Sequence, residues 1–158
     1  MMIDESDLHG PSAWATSLGF AGLIPFVALS AALWLPELVS QSFVSHALST
    51  YALAIISFLG AIHWGLLMRD MPSSSMSSFG WIWGVTPSLL AWVVNFFAYP
   101  VELILMALLL WLCYMVDRRR YPKFKLSAWL PLRLRLTVVA SAACLVGSAG
   151  FYLNQSIM

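Results

Sequence analysis

Five stretches of this chain are each apolar enough to cross a lipid bilayer, and none carries a charge near its middle. A hydrocarbon core of about 30 Å asks for roughly 20 mostly apolar residues in a helix. Trp14–Leu35, Ser49–Met68, Phe79–Ala98, Val101–Val116 and Leu134–Leu153 meet that need. The fourth is the shortest and, at helical rise, reaches only about 24 Å. Strands of a membrane barrel alternate polar and apolar residues, and these stretches do not, so helices are expected. Composition agrees. Only 9% of the 158 residues are charged and 61% are hydrophobic, against about 25% and 45–50% in soluble domains. A water-soluble globule and a disordered chain are both excluded. The fold class is all-α: one integral membrane bundle of five transmembrane helices over residues 14–153, after a short cytoplasmic tail, 1–13.

Orientation follows from the basic residues, which favour cytoplasmic loops. Arg118, Arg119, Arg120, Lys123, Lys125, Arg133 and Arg135 lie between spans four and five, and Arg69 ends span two. With five spans, those two loops share a side. All eight basic residues then face the cytoplasm, the N-terminus is inside and the C-terminus outside. The first residues are acidic, and neither a signal-peptide pattern nor an Arg-rich transit peptide is visible. A bacterial inner membrane is the expected home. A net charge of +1 gives no field that would mark a nucleic-acid binder.

Prolines and small residues shape the spans. Pro25 and Pro87 each remove a backbone donor and are expected to kink spans one and three. Pro100 is expected to open the fourth helix. Gly19 and Gly22 share one face, Ala52, Gly60 and His63 another, and Ala140, Ala143, Gly147 and Gly150 a third. Such small faces let helices approach closely in lipid. Glu37–Leu48 is expected to lie along the outer interface. The loop Asp70–Ser78 is polar and Ser-rich. Asp117–Pro131 interleaves Tyr121, Phe124 and Trp129 with basic residues, as a membrane-surface segment does. Its charges serve topology, or Arg118, Arg119, Arg120, Lys123 and Lys125 contact anionic lipid headgroups.

Ionisable residues inside spans are functional candidates. His63 lies about 9 Å inside the cytoplasmic boundary. At that depth Thr86, Ser88, Ser141 and the carbonyl freed before Pro87 are its possible partners, with span three preferred. His63 is read as a structural hydrogen-bonder, with a ligand or proton site as the competing reading. That ligand site would comprise His63, Trp64, Thr86, Ser88 and Trp111, with Arg69 at its mouth. Glu102 opens span four on the far side, too distant to join His63, and complements the dipole of its helix. Asn95 is placed to hydrogen-bond across the outer hairpin.

Cofactor chemistry finds no support in these residues. Only His63 of three histidines is intramembrane, since His9 falls in the tail and His46 near the outer interface. That argues against bis-His haem. No cluster offers the ligands zinc needs, and Met68, Met71 and Met76 are a weak basis for Cu(I). Cys113 and Cys144 differ in depth by about 10 Å, beyond disulfide reach, and are expected free. No catalytic metal, cofactor or triad motif appears.

Three segments carry a resemblance: Leu18-Gly-Phe-Ala-Gly-Leu-Ile-Pro-Phe26, Ser57-Phe-Leu-Gly-Ala-Ile-His-Trp-Gly65 and Trp83-Gly-Val-Thr-Pro-Ser-Leu-Leu-Ala-Trp92. The chain resembles, from Ser17 to Tyr152, the family of small bacterial membrane proteins related to transmembrane protein 69, a domain family of unknown function. The Gly-x-x-His-Trp-Gly element is its most specific part. The resemblance implies a helical integral membrane protein and no known reaction. The sequence therefore points to a non-enzymatic scaffold, accessory or assembly component, its partners being membrane lipids and other membrane proteins or further copies of itself. The alternative is a bundle that binds a quinone or lipid around His63.

Overall fold

The computed structural model describes residues 10–35, 37, 40–69 and 78–155. The acidic first residues, His9, Met71, Met76 and the Ser-rich loop as far as Ser77 fall outside those residues. Among the described residues every regular element is a helix. They run α1 (Ala13–Ala21), α2 (Ile24–Ala32), α3 (Gln41–Arg69), α4 (Ser78–Val94), α5 (Val101–Arg120), two 3₁₀ turns (Tyr121–Phe124 and Ser127–Trp129) and α6 (Leu130–Gln155).

The first apolar stretch is broken, not merely kinked. Pro25 occupies the first turn of α2, where its missing N–H costs nothing, and α1 has already closed on Gly22. The carbonyl of Gly22 is taken by the Tyr51 hydroxyl at 2.8 Å. A side chain from α3 thus satisfies backbone that would otherwise be orphaned in lipid. Pro87 behaves differently and sits inside an uninterrupted α4.

Three helical segments are long and apolar enough to cross a membrane: Ala13–Ala32, Gln41–Arg69 and Ser127–Asn154. Ser78–Val94 is apolar but shorter, because the chain turns at Asn95 rather than continuing to Ala98. Residues Val101–Arg120 form a helix whose last turn holds Arg118, Arg119 and Arg120. The expected interfacial segment before Ser49 is largely helix, since α3 begins at Gln41. At 29 residues and about 1.5 Å each, α3 is longer than a bilayer core is thick.

Helix α3 is the centre of the bundle. It packs against α2, α4, α5 and α6, while α6 also meets α1, α2 and α5. Phe26, Leu48, Ala52, Ile56, Leu103, Met106, Leu110 and Cys144 form the buried core between them. Outward-facing positions are themselves apolar: Trp14, Phe43 and Phe96 are 80%, 70% and 72% exposed. Apolar surface on that scale signals a lipid or protein environment. Cys113 and Cys144 are free and buried.

Helices α3 and α4 approach each other closely at Gly60. A Cβ on Gly60 would stand 2.8 Å from the Gly84 carbonyl oxygen and 3.2 Å from the Pro87 ring. Gly65, one and a half turns further on, has nothing within 4 Å of the same position. Gly60→Ala is therefore expected to lower stability by about 1–3 kcal/mol, because backbone must move. Gly65→Ala gains helix propensity, up to about 1 kcal/mol. Denaturant titration of both variants in detergent checks the opposite signs.

Candidate functional site

Two polar clusters lie within the apolar bundle, one towards each end. The first joins three helices. His63 on α3 is 1% exposed, Asp117 on α5 is 1% exposed and Arg133 on α6 is 8% exposed. Arg133 donates from Nε to Asp117 Oδ2 at 2.9 Å, and its terminal nitrogen meets the same oxygen. His63 Nε2 lies 3.5 Å from Asp117 Oδ1, beyond hydrogen-bond contact, and neither ring nitrogen has a hydrogen-bond partner, so the expected structural hydrogen bond of His63 is not made. The Tyr121 ring is 6.3 Å from the imidazole, centroid to centroid. Burial, reinforced by the nearby Asp117 charge, pushes the Tyr121 phenol up to about 12, so the phenol keeps its proton at neutral pH. Asp117 is thus bound by a guanidinium, with an imidazole beside it.

This corrects the expected partner of His63. The ring does face the interior, but it meets α5 and not α4. Thr86 donates to its own helix at the Ile82 carbonyl, 2.9 Å away, and Ser88 to the Val85 carbonyl at 2.7 Å. Counting residues inward from charged boundaries placed Trp111 opposite His63. That count assumes each span stops at its first charge. Helix α5 instead runs on through Asp117 to Arg120, and a charge with a buried partner has no need to stay outside.

The second cluster is built on Glu102, which is 1% exposed. It stands in the first turn of α5, as expected, but it is buried as well and receives the Ser49 hydroxyl. Ser49 also approaches Asn95 Oδ1 at 3.1 Å, and His46 Nδ1 is 3.2 Å from the Tyr99 hydroxyl. Ser49 lies fourteen residues before His63, about 21 Å along α3 at helical rise, so the two clusters are separate. Asn95 thus bridges the α4–α5 hairpin to α3.

The remaining candidates disperse. Trp64 is 38% exposed and donates to the Trp81 carbonyl at 2.8 Å. Trp111 faces outward and stacks edge-on with Tyr114. Neither approaches His63 as part of one ligand cage. Arg118, Arg119, Lys123 and Lys125 are exposed, as lipid contacts would be, whereas Arg120 is half-buried. Its guanidinium lies over the rings of Phe79 and Phe124, at 5.3 and 5.9 Å, and so secures the start of α4.

A cleft of about 560 Å³ opens on the other flank of α3, between it, α1, α2 and α6. Its walls include Leu18, Gly22, Phe26, Ile55, Ile62 and Leu136. Arg69, Tyr121, Trp129, Arg133 and Thr137 line its basic end. That volume lies within the range of small-molecule sites, about 300–1,000 Å³. Of the expected ligand residues only Arg69 belongs to it. Asp117, Arg133, Ser49 and Thr137 were not singled out from sequence. The available signal was spacing: Arg133, Thr137, Ser141 and Cys144 fall on one helical face. Among the described residues, no three His, Cys, Asp or Glu side chains converge as a metal site would require.

The family described as "Protein of unknown function (DUF3429)" matches residues 11–149. The chain belongs to this family. It is also 34% identical, over 152 residues, to Transmembrane protein 69 of Xenopus tropicalis. That match takes in 90% of this chain but 55% of the relative, so the chain spans about half the length of the curated protein it matches. No solved structure is similar at a significant level. A DUF3429 chain thus carries the Gly60–His63–Trp64 element at the meeting of α3, α4 and α5, with His63 set against the Asp117 carboxylate.

Neutralising one partner of a buried pair strands the other charge and costs about 3–5 kcal/mol. Asp117→Asn is expected to do so through Arg133. His63→Gln should cost less, because Asp117 keeps its guanidinium. Glu102→Gln preserves an acceptor for Ser49 and should change stability by no more than about 1 kcal/mol. Unfolding free energies in one detergent give the order Asp117→Asn, His63→Gln, Glu102→Gln.

Proposed function

We propose that this protein is a five-span, multi-pass inner-membrane protein with its N-terminus in the cytoplasm, acting as a non-enzymatic scaffold, accessory or assembly component. The observation that carries the role is how its interior ionisable groups are used. Asp117 is engaged by Arg133 and His63, and Glu102 by Ser49. These contacts join helix to helix, which is structural work. Apolar helix faces such as that of Phe43 and Phe58 are left on the outside, available to lipids, to other membrane proteins or to further copies of this chain.

Topology draws support from charge. Arg69 ends α3, Arg118–Arg120 end α5 and Arg133 opens α6, and the Asp117–Arg133 contact brings the last two ends together. Helices α4 and α5 then count as the third and fourth spans, and residues 14–153 as one transmembrane domain. The family membership and the transmembrane relative support a membrane role. A second reading, an amphiphile-binding bundle, is favoured by the cleft beside α3 and not by the surroundings of His63.

Two measurements test this. Alkaline phosphatase fused after Met158 should be active, and after Ser74 inactive; the reverse pattern overturns the orientation. Native mass spectrometry from gently solubilised membranes, at native expression, should find the chain in a defined stoichiometric assembly. A chain released as a bare monomer contradicts the scaffold role.

A further inference from the structure

Two carboxyl groups are buried in the bundle, and they differ in what stands beside them. Asp117 and Glu102 are each 1% exposed. Asp117 is bound by the Arg133 guanidinium. Glu102 has a hydroxyl and, beyond it, an amide: Ser49 meets its Oε1, and Asn95 stands on the far side of Ser49. The lysines and arginines are remote. Arg69 lies twenty residues along α3 from Ser49, and Arg118 sixteen along α5 from Glu102, about 30 and 24 Å at helical rise. Arg135 lies thirteen residues along α6 from Ser148, whose hydroxyl bonds the Pro100 carbonyl, about 20 Å. The other basic side chains follow these along the chain and stand further off.

A carboxylate buried without a counter-ion is costly enough that the group takes a proton instead. The N-terminus of α5 offers about half a positive charge, which does not replace a cation. The proton inventory agrees. Ser49 has one hydroxyl proton, yet two acceptors lie at its oxygen, Glu102 Oε1 and, at 3.1 Å, Asn95 Oδ1. One proton cannot fill both contacts. With a proton on the carboxyl, Glu102 donates to Ser49 Oγ, Ser49 donates to Asn95, and each contact holds one. Turning the Asn95 amide would also balance the count, but it would leave a bare carboxylate in the interior.

A route leads from this carboxyl to the surface. Tyr99 and His46 are its titratable neighbours. The Tyr99 hydroxyl is half-buried and lies 3.2 Å from Nδ1 of His46, which is exposed. The other elements packed here bring little that titrates. Helices α2 and α4 contain no titratable residue. Helix α6 presents Ser148 to the Pro100 carbonyl and Phe151 to the Tyr99 ring. Its Cys144 is a turn deeper, and Tyr152 and Glu37 are exposed.

We infer that Glu102 is a proton-binding site, a neutral carboxylic acid inside the bundle that exchanges its proton through Tyr99 and His46 with the water at that end. In one exchange the carboxyl proton passes to the Tyr99 oxygen, the phenolic proton to Nδ1 of His46, and the Nε2 proton to water. A carboxylate and a hydronium result, no electron moves, and the reverse series refills the site. Carboxyl and histidine chains of this kind inside a membrane domain serve as proton relays. In the topology proposed above, the exchange is with the non-cytoplasmic side. This goes beyond a structural role for the second cluster, since it ties the meeting of α3 and α5 to protons outside.

Infrared difference spectroscopy on the full chain in detergent, at neutral pH, tests this. The carbonyl band of an un-ionised carboxyl should be present, should shift on transfer to deuterium oxide and should be lost in Glu102→Gln. Tyr99→Phe keeps the ring and removes the hydroxyl. It should retain the band but slow the deuterium shift about a hundredfold, and His46→Leu, a change at the exposed end, should slow it as well. A parent protein without the band, or a band undiminished in Glu102→Gln, overturns the proton site. A band that exchanges as fast in Tyr99→Phe and His46→Leu as in the parent overturns the route. If Tyr99→Phe does not fold, His46→Leu decides the route alone.

Discussion

A charge in hydrocarbon is tolerable only beside its complement, and the arrangement of this bundle follows from where that complement lies. Asp117 sits between Arg133 and His63. The three belong to α6, α5 and α3, so one contact sets the relative heights of three helices. Dispersion forces between apolar faces would permit many registers, because lipid tails and side chains are equally good neighbours. A buried ion pair permits very few. The pair need not add net stability to do this, since isosteric apolar packing often serves as well. Its contribution is to the choice of register.

Around that fixed point the other contacts each satisfy backbone or polar groups that lipid cannot. Tyr51 covers the carbonyl of Gly22 where the first span breaks. Ser148 donates to the Pro100 carbonyl at 3.1 Å, and Asn154 to the Leu33 carbonyl at 2.9 Å. Arg120 lies against the aromatic start of α4. The two polar clusters therefore act like pins at either end of α3, with the large apolar core between them. On the flank where α1 and α2 cross α6, packing is incomplete and a cleft remains.

Much of the fold was legible because membrane insertion simplifies the code. Apolar stretches of the necessary length gave the helices, and Pro25 marked the interruption of the first. The expectation that His63 faces the interior holds, but the hydrogen bond that motivated it is not made. Helix ends were less legible, since Gln41–Leu48 and Asp117–Arg120 continue helices beyond the apolar runs. That error hid the site: Asp117 was read as a terminator of its span when it is a member of the interior. No residue count along a single helix reveals its vertical offset against another, and the offset brings Asp117 level with His63.

If their contact sets the register of the bundle, Asp117 and Arg133 act as one unit. A double-mutant cycle using Asp117→Leu and Arg133→Met, read as unfolding free energy in a single detergent, measures this directly. Each single change should cost about 3–5 kcal/mol, and the pair together far less than their sum, because the double variant leaves no buried charge unmatched. Additive losses, or two single variants as stable as the parent, would contradict the claim that this pair sets the register of the bundle.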